Sequence, residues 1–215
     1  MHITSIKPTR SSTTLILVFS NGSILPFSSD DWVKAGIKKF SELDPNLLDQ
    51  IYKKSAEHQL KEYAVRQLAM RSLPEKIIKQ KLKHYSQKFF LSANIENFSV
   101  DVEPIITQII ANLRNLKLIN NSAYASGYAA KSTQKSKRQI IAELNQKGIS
   151  PLDQNQAVLN LNDLEKIKNF LKKKGYTNEK LSSYAQKNKI MAALYRRGFT
   201  ISDIKSVVDD LIKNG

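Results

Sequence analysis

A mainly α-helical protein is predicted, with tandem three-helix repeats in an elongated array behind a small β-hairpin-containing N-terminal domain. Three observations predict it. β-branched and apolar runs flanking Asn21-Gly22 are confined to the first forty residues. From Asp44 onward, apolar residues recur at helical spacing. One basic motif occurs twice, in KSKRQIIAELNQKGIS (Lys135–Ser150) and KNKIMAALYRRGFT (Lys187–Thr200), which align without a gap.

The β-containing start comes from ITSIKP (Ile3–Pro8), TTLILVFS (Thr13–Ser20) and SILPF (Ser23–Phe27). Asn-Gly between the second and third runs is the dipeptide that most favours a tight hairpin turn. A short helix over Ser28–Ala35 follows, since SSDDWVKAG offers caps, early acids and a closing Gly. Asp44-Pro45 is an N-cap followed by Pro at the first helical position. Leu47–Arg71 then reads as one or two helices. Three later starts pair a hydroxyl with a carboxylate three positions on: Ser72 with Glu75, Ser150 with Asp153, and Thr200 with Asp203. In each, the hydroxyl accepts from an orphan N–H and the acid sits in the positive first turn. Val102–Ile119, Asn121–Lys135 and Leu161–Gly175 are further helical segments, and Gln87–Asp101 reads as a longer loop.

The repeat aligns Ile140, Leu144, Lys147, Gly148 and Ile149 with Ile190, Leu194, Arg197, Gly198 and Phe199. At about 100° per residue, Ile140, Ile141 and Leu144 form one apolar stripe, as do Ile190, Met191 and Leu194. The glycines suit a left-handed C-cap, after which Ile149 or Phe199 folds back on its helix. A fainter copy is expected at Ser72–Ser86, with Ser86 in the place of Gly. The organisation expected is 1–50, a β/α domain; 51–119, a connecting helix and first repeat; 120–161, a second; and 162–215, a third.

The charge of +15 is uneven. Five basic side chains balance five acidic ones in the first fifty residues, so the whole excess lies beyond them. Between Glu103 and Asp153 the only carboxylate is Glu143, against seven Lys and Arg. Such a field favours a polyanion. The absence of cysteine excludes disulfides and thiolate metal sites. No apolar run approaches the roughly 18 residues of a membrane span, and MHITSIKPTR lacks a signal-like stretch. A cytoplasmic protein that does not engage membrane is expected. His2, His58 and His84 are scattered, and no phosphate loop or zinc spacing occurs, so neither catalysis nor a cofactor is expected.

Three stretches resemble the RecX family of bacterial regulators of the RecA recombinase. AVRQLAMRSLPEKIIKQKL (Ala64–Leu82) is similar to that family's A…L..R..S..E…..L opening. LKLINNSAYASGYAAKSTQKSKRQIIAELNQKGIS (Leu116–Ser150) resembles its central helix, basic link and EL..KGI. IMAALYRRGFTISDI (Ile190–Ile204) resembles its closing yL.RRGF…I. The chain departs from the pattern at Asn121, where an acid is common, and in the link QKSKRQ, which lacks Gly-Pro.

The resemblance implies a protein that binds RecA and the RecA–DNA filament, lodges in the helical groove and inhibits the recombinase; a monomer is expected. Repeated basic helices would then face a repeating partner, with DNA, single- or double-stranded, as a further contact. The residues expected on that surface are Lys135, Lys137, Arg138, Lys147, Lys189, Arg196 and Arg197, with Lys172, Lys173 and Lys174 beside them. For Lys147 and Arg197 there is a structural alternative, since a cation in the last turn complements the helix dipole. Tyr124, Tyr128 and Tyr195 are expected in the core, with base stacking as the alternative. Two other functions remain open. One is a basic DNA- or RNA-binding module independent of RecA, against which the repeated turns carry no base-reading row of Asn, Gln or Arg. The other is a partner of an acidic protein with no DNA involved.

Overall fold

The computed structural model of the protein describes residues 1–92, 101–176, 181 and 183–214. Three antiparallel strands, β1 (Ile3–Pro8), β2 (Thr14–Phe19) and β3 (Ile24–Ser28), lie in the order β1-β2-β3. The Asn21-Gly22 turn closes as predicted, with Gly22 at φ 82° and the Phe19 N–H donating to the Ser23 carbonyl at 2.9 Å. Period-two alternation sends Leu17 and Phe19 of β2, and Leu25 and Phe27 of β3, to one buried face.

Helix α1 (Ser29–Ala35) is capped by the Ser28 hydroxyl and closed by Gly36 at φ 62°. Leu47–Arg71 resolves into one helix rather than two: α2 (Pro45–Met70) has 26 residues and begins at the Asp44 cap. Its two halves serve different cores. Ile51, Tyr52 and Ala56 pack on the sheet, while Leu60 and Ala64 pack with later helices. Polar contacts fix the sheet-side half. Ser55 donates to the Pro26 carbonyl at 2.6 Å, and His58 Nε2 lies 2.8 Å from the Thr14 hydroxyl.

Helix α3 (Glu75–Ser92) corrects two expectations. The Pro74 carbonyl accepts from the Ile77 and Ile78 amides, so the helix starts later than a cap at Ser72 would set. Gln87–Ser92, expected as loop, is helical, and residues 93–100 of that expected loop lie outside the described residues. The reason is the stripe Ile78, Leu82, Ser86, Phe89, which continues at helical spacing and is buried throughout. Ser86 therefore stands inside a helix and is no counterpart of the repeat glycines. Its buried hydroxyl is satisfied by donating back to the Lys83 carbonyl at 2.8 Å. Helix α4 (Val102–Asn115) is capped by Asp101 and packs Ile106, Ile109, Ile110 and Leu113 against α2 and α3.

The chain divides into two compact units, Met1–Ile119 and Asn120–Gly215. The second holds α5 (Asn121–Lys131), α6 (Lys137–Gln146), α7 (Pro151–Val158), α8 (Asp163–Lys173), α9 (Tyr184–Tyr195) and α10 (Ile201–Asn214). These surround two cores. Ala125, Ala129, Ile140, Leu144, Ile149 and Val158 belong to α5–α7 and their turns. Ile167, Phe170, Ile190, Leu194, Phe199 and Val208 belong to α8–α10. The predicted boxes form with the acid as partner of the hydroxyl. Ser150 and Thr200 accept from the Asp153 and Asp203 amides, and each donates to that Asp's carboxylate at 2.7 Å. Gly148 and Gly198 take φ 77° and 84°, and Ile149 and Phe199 are buried behind them, as the repeat predicts. No described helix is long and apolar enough to cross a membrane.

Candidate functional site

The second unit carries seventeen Lys and Arg against eight Asp and Glu, and all the predicted site residues lie in it. Its geometry centres on the start of α6. Ser136 is fully buried, and its hydroxyl caps the helix by accepting from the Gln139 amide at 3.1 Å. Its own amide donates to the Arg197 carbonyl at 3.1 Å. The second repeat's first basic helix thus begins against the turn that ends the third repeat's. The sequence carries a capping-box pattern here, Ser136 with Gln139 three positions on, a signal missed there. Only its Ser136 half forms, since the Ser136 amide goes to Arg197 and the Gln139 side chain to Glu143.

The link before α6 is tied to α8 as well. Lys166, half-buried, donates to the carbonyls of Ser132 and Lys135 at 3.2 and 3.0 Å. Burial lowers the Lys166 pKa, partly offset by the Asp163 carboxylate. The Lys137 amide donates to both Asp163 oxygens at 3.0 and 3.2 Å. Burial raises the Asp163 pKa against the opposing pull of that amide and of Lys166.

These contacts divide the ten predicted cations. Lys135 is committed internally. Its ammonium bridges both oxygens of Glu143 at 2.8 and 2.7 Å and reaches the Tyr128 hydroxyl at 3.3 Å. Glu143 also accepts from Tyr128 and from Gln139 Nε2. Burial pushes the Glu143 carboxyl up, but the hydrogen bonds from Lys135, Tyr128 and Gln139 outweigh it and hold it at about 2. The hydrogen bond to Glu143 likewise raises Lys135. Lys147 lies over the Tyr128 ring at 5.5 Å. Lys137 is half-buried and donates to the Leu159 carbonyl at 3.4 Å. Arg197 donates to the Ala193 carbonyl at 3.0 Å and covers the Phe170 ring at 4.6 Å. Lys147 and Arg197 thus each have a local partner, although neither lies within the last turn of its helix, where the dipole alternative put it.

The remaining six are exposed: Arg138, Lys172, Lys173, Lys174, Lys189 and Arg196. Lys172 and Lys173 lie in the last turn of α8, with Lys174 as its C-cap. Arg138 and Arg196 are brought together by the Ser136–Arg197 contact. They line one cleft of about 320 Å³ with Gln139, Ala142, Tyr195, Gly198 and Phe199, and among the described residues no carboxylate lines it. The tyrosine expectation is corrected in part. Tyr124 and Tyr128 pack against the second repeat's core, but Tyr195 is 60% exposed and faces this cleft. Its position follows from helical phase, since Leu194 takes the buried place beside it. Among the described residues, no group of three His, Cys, Asp or Glu side chains is placed to hold a metal ion.

The architecture and the repeats have counterparts in known proteins. The family description "RecX, third three-helix domain" matches residues 162–208, which hold α8–α10. The regulatory protein RecX of Streptococcus pneumoniae strain 70585 is 31% identical over 159 residues, covering 70% of this chain and 55% of the relative. That of strain CGSP14 is also 31% identical, over 160 residues with the same coverage. The chain thus spans about half the length of the curated relatives it matches. A crystal structure of regulatory protein RecX has the same fold over 97% of this chain and 98% of its own, with a TM-score of 0.64 at 19% identity. That of RecX from Lactobacillus salivarius matches 73% of this chain and 96% of its own, with a TM-score of 0.56 at 24% identity. With a three-helix domain of RecX matched on residues 162–208 and regulatory RecX proteins similar over 70% of the chain, these likenesses support the RecX family for this chain.

Proposed function

We propose that this chain regulates the RecA recombinase, binding RecA and its DNA filament as a cytoplasmic monomer and suppressing ATP hydrolysis and strand exchange. The basic helices of the second unit would lodge in the filament groove. No catalytic step of its own is assigned, in keeping with relatives named as regulatory proteins. One observation carries the reading. Two repeats joined through Ser136 and Arg197 bring the exposed cations Arg138 and Arg196 into a shared cleft, while the neighbouring cations Lys135 and Arg197 are tied to internal partners. A repeat that needed its charge only for solubility would not require that division. A filament of alternating protein and phosphate charge suits it.

The test is ATP hydrolysis by the cognate RecA on single-stranded DNA, with this protein added at substoichiometric amounts. A strong fall, relieved by Arg138→Glu/Arg196→Glu with the helical signal intact, supports the reading. Unchanged hydrolysis together with tight DNA binding in the absence of RecA favours the second reading, an independent nucleic-acid module. The exposed cations of the same cleft are what keep that alternative in view.

A further inference from the structure

Resting on the reading that this basic surface meets nucleic acid, we propose that the cleft between the second and third repeats seats one unstacked nucleotide of a single strand. Arg138 and Arg196 take its phosphate, and the Tyr195 ring stacks on its base.

The repeat supplies an internal control. Aligned without a gap, Tyr195-Arg196 of the third repeat corresponds to Asn145-Gln146 of the second, and Arg138 of the second to Asn188 of the third. The core positions are apolar in both copies: Ile140 and Ile190, Leu144 and Leu194, Ile149 and Phe199. The fold therefore closes with an amide pair where Tyr195-Arg196 stands, so packing does not demand an aromatic and a cation there. Among the positions where the copies differ, Arg138, Tyr195 and Arg196 lie where the two repeats meet and make the cleft.

The chemistry follows from the lining. A guanidinium matches phosphate geometry through its planar fork. Phosphate contacts position a nucleic acid without distinguishing one strand from two. An exposed aromatic does distinguish them, because a base within a duplex already has both faces stacked. The volume of about 320 Å³ is near the lower end of the roughly 300–1,000 Å³ of small-ligand pockets, room for one nucleotide and not for a helix. The wall is also set in advance. Gln139 Nε2 is held by Glu143 at 2.9 Å, and Gly198 is fixed by its contact with Ser136. Little ordering therefore remains to be done on binding. An acidic peptide would also satisfy the two arginines, but it gives Tyr195 no partner.

The test is fluorescence anisotropy of the full chain with a labelled oligothymidylate and a duplex of equal length, without RecA and across a salt series. Tyr195→Ala is expected to weaken single-strand binding about tenfold and to leave duplex binding within about twofold, while Tyr195→Phe retains both. Arg138→Gln/Arg196→Gln should weaken both ligands and lower the single-strand salt slope by about 0.7, the value for one phosphate. Unchanged single-strand affinity in Tyr195→Ala, or an equal loss on both ligands, overturns the proposal. If Tyr195→Ala relieves RecA suppression without altering oligonucleotide binding, the cleft grips protein. That outcome sinks this inference and leaves the function proposed above standing. If RecA is unaffected by the wild-type chain but the strand discrimination appears, the reverse holds.

Discussion

Gly198 lies so close to Ser136 that a Cβ built on it would come within 2.6 Å of the Ser136 hydroxyl. It would also meet the Gln139 Cβ at 3.0 Å, and the backbone there is left-handed at φ 84°. The third repeat's closing turn is thus pressed against the second repeat's first cap. Gly198→Ala combines the cost of positive φ, about 1 kcal/mol, with displacement of a capping hydroxyl worth about another 1 kcal/mol. A loss of about 2–3 kcal/mol is expected in chemical denaturation followed by circular dichroism. Ser136→Gly removes the clashing hydroxyl at only a few tenths of a kcal/mol, because Gly is a tolerable N-cap. The double variant should therefore be more stable than Gly198→Ala alone; equal or lower stability would show that the contact is not the source of the loss.

A second prediction concerns pH. Glu143 titrates at about 2, below its ordinary 4.5, because three side-chain donors favour its ionised form over the opposing effect of burial. As pH falls, the unfolded chain takes up this proton first. The associated stability is present above pH 4.5 and is lost as pH falls to about 2. The urea midpoint of the wild type should fall across that range more steeply than that of Glu143→Gln, whose amide does not titrate. At neutral pH, Glu143→Ala should cost about 1–2 kcal/mol, reduced from a fully buried ionic network because Lys135 is partly exposed.

His58 gives the first unit its own pH signature. Burial lowers its pKa below 6.5, overcoming the opposing influence of Glu62 and Asp31, while its Nε2 contacts the Thr14 hydroxyl. The unfolded chain then binds the proton first on acidification, so stability is full above pH 6.5 and declines as pH falls toward the folded value. Trp32 is the only tryptophan and packs against the sheet core. Its fluorescence should show a urea midpoint that drops between neutral and mildly acid pH, and His58→Gln should flatten that drop. A parallel drop in both proteins would assign it to another group.

What was legible in the sequence was local. The Asn21-Gly22 turn, the caps at Asp44, Ser150 and Thr200, and the glycines closing α6 and α9 depend on residues within a few positions of one another. The repeat fixed the phase of Ile140 and Leu144 for the same reason. Other features depended on distant partners. Polar Ser86-Gln87-Lys88 hid the continuation of α3, because only the sheet core receiving Phe89 shows why it stays helical. Lys135 read as an interface cation because its partner Glu143 lies across a turn, and no periodicity announces an ion pair. Tyr195 read as core because helical spacing ignores which side the neighbouring repeat leaves open.

Lys135 and Arg138 are adjacent on the sequence-predicted interface, and the structure separates what their charge reversal should do. Lys135→Glu would place a second carboxylate against Glu143, removing two charge-assisted bonds at 2.7 and 2.8 Å and adding repulsion. A stability loss of about 2 kcal/mol is expected, with any effect on RecA following from misfolding of the second repeat. Arg138 is exposed in a cleft that no carboxylate lines among the described residues, so Arg138→Glu should change stability by no more than about 0.5 kcal/mol. It should nevertheless weaken suppression of RecA ATP hydrolysis by about tenfold in half-maximal concentration if that cleft meets the filament. Lys135→Gln supplies the control, since it loses the ion pair without reversing charge. Its suppression should approach the wild type at temperatures where circular dichroism shows it folded. Suppression that instead tracks charge at Lys135, at full foldedness, would return that lysine to the interface and remove Arg138 from its centre.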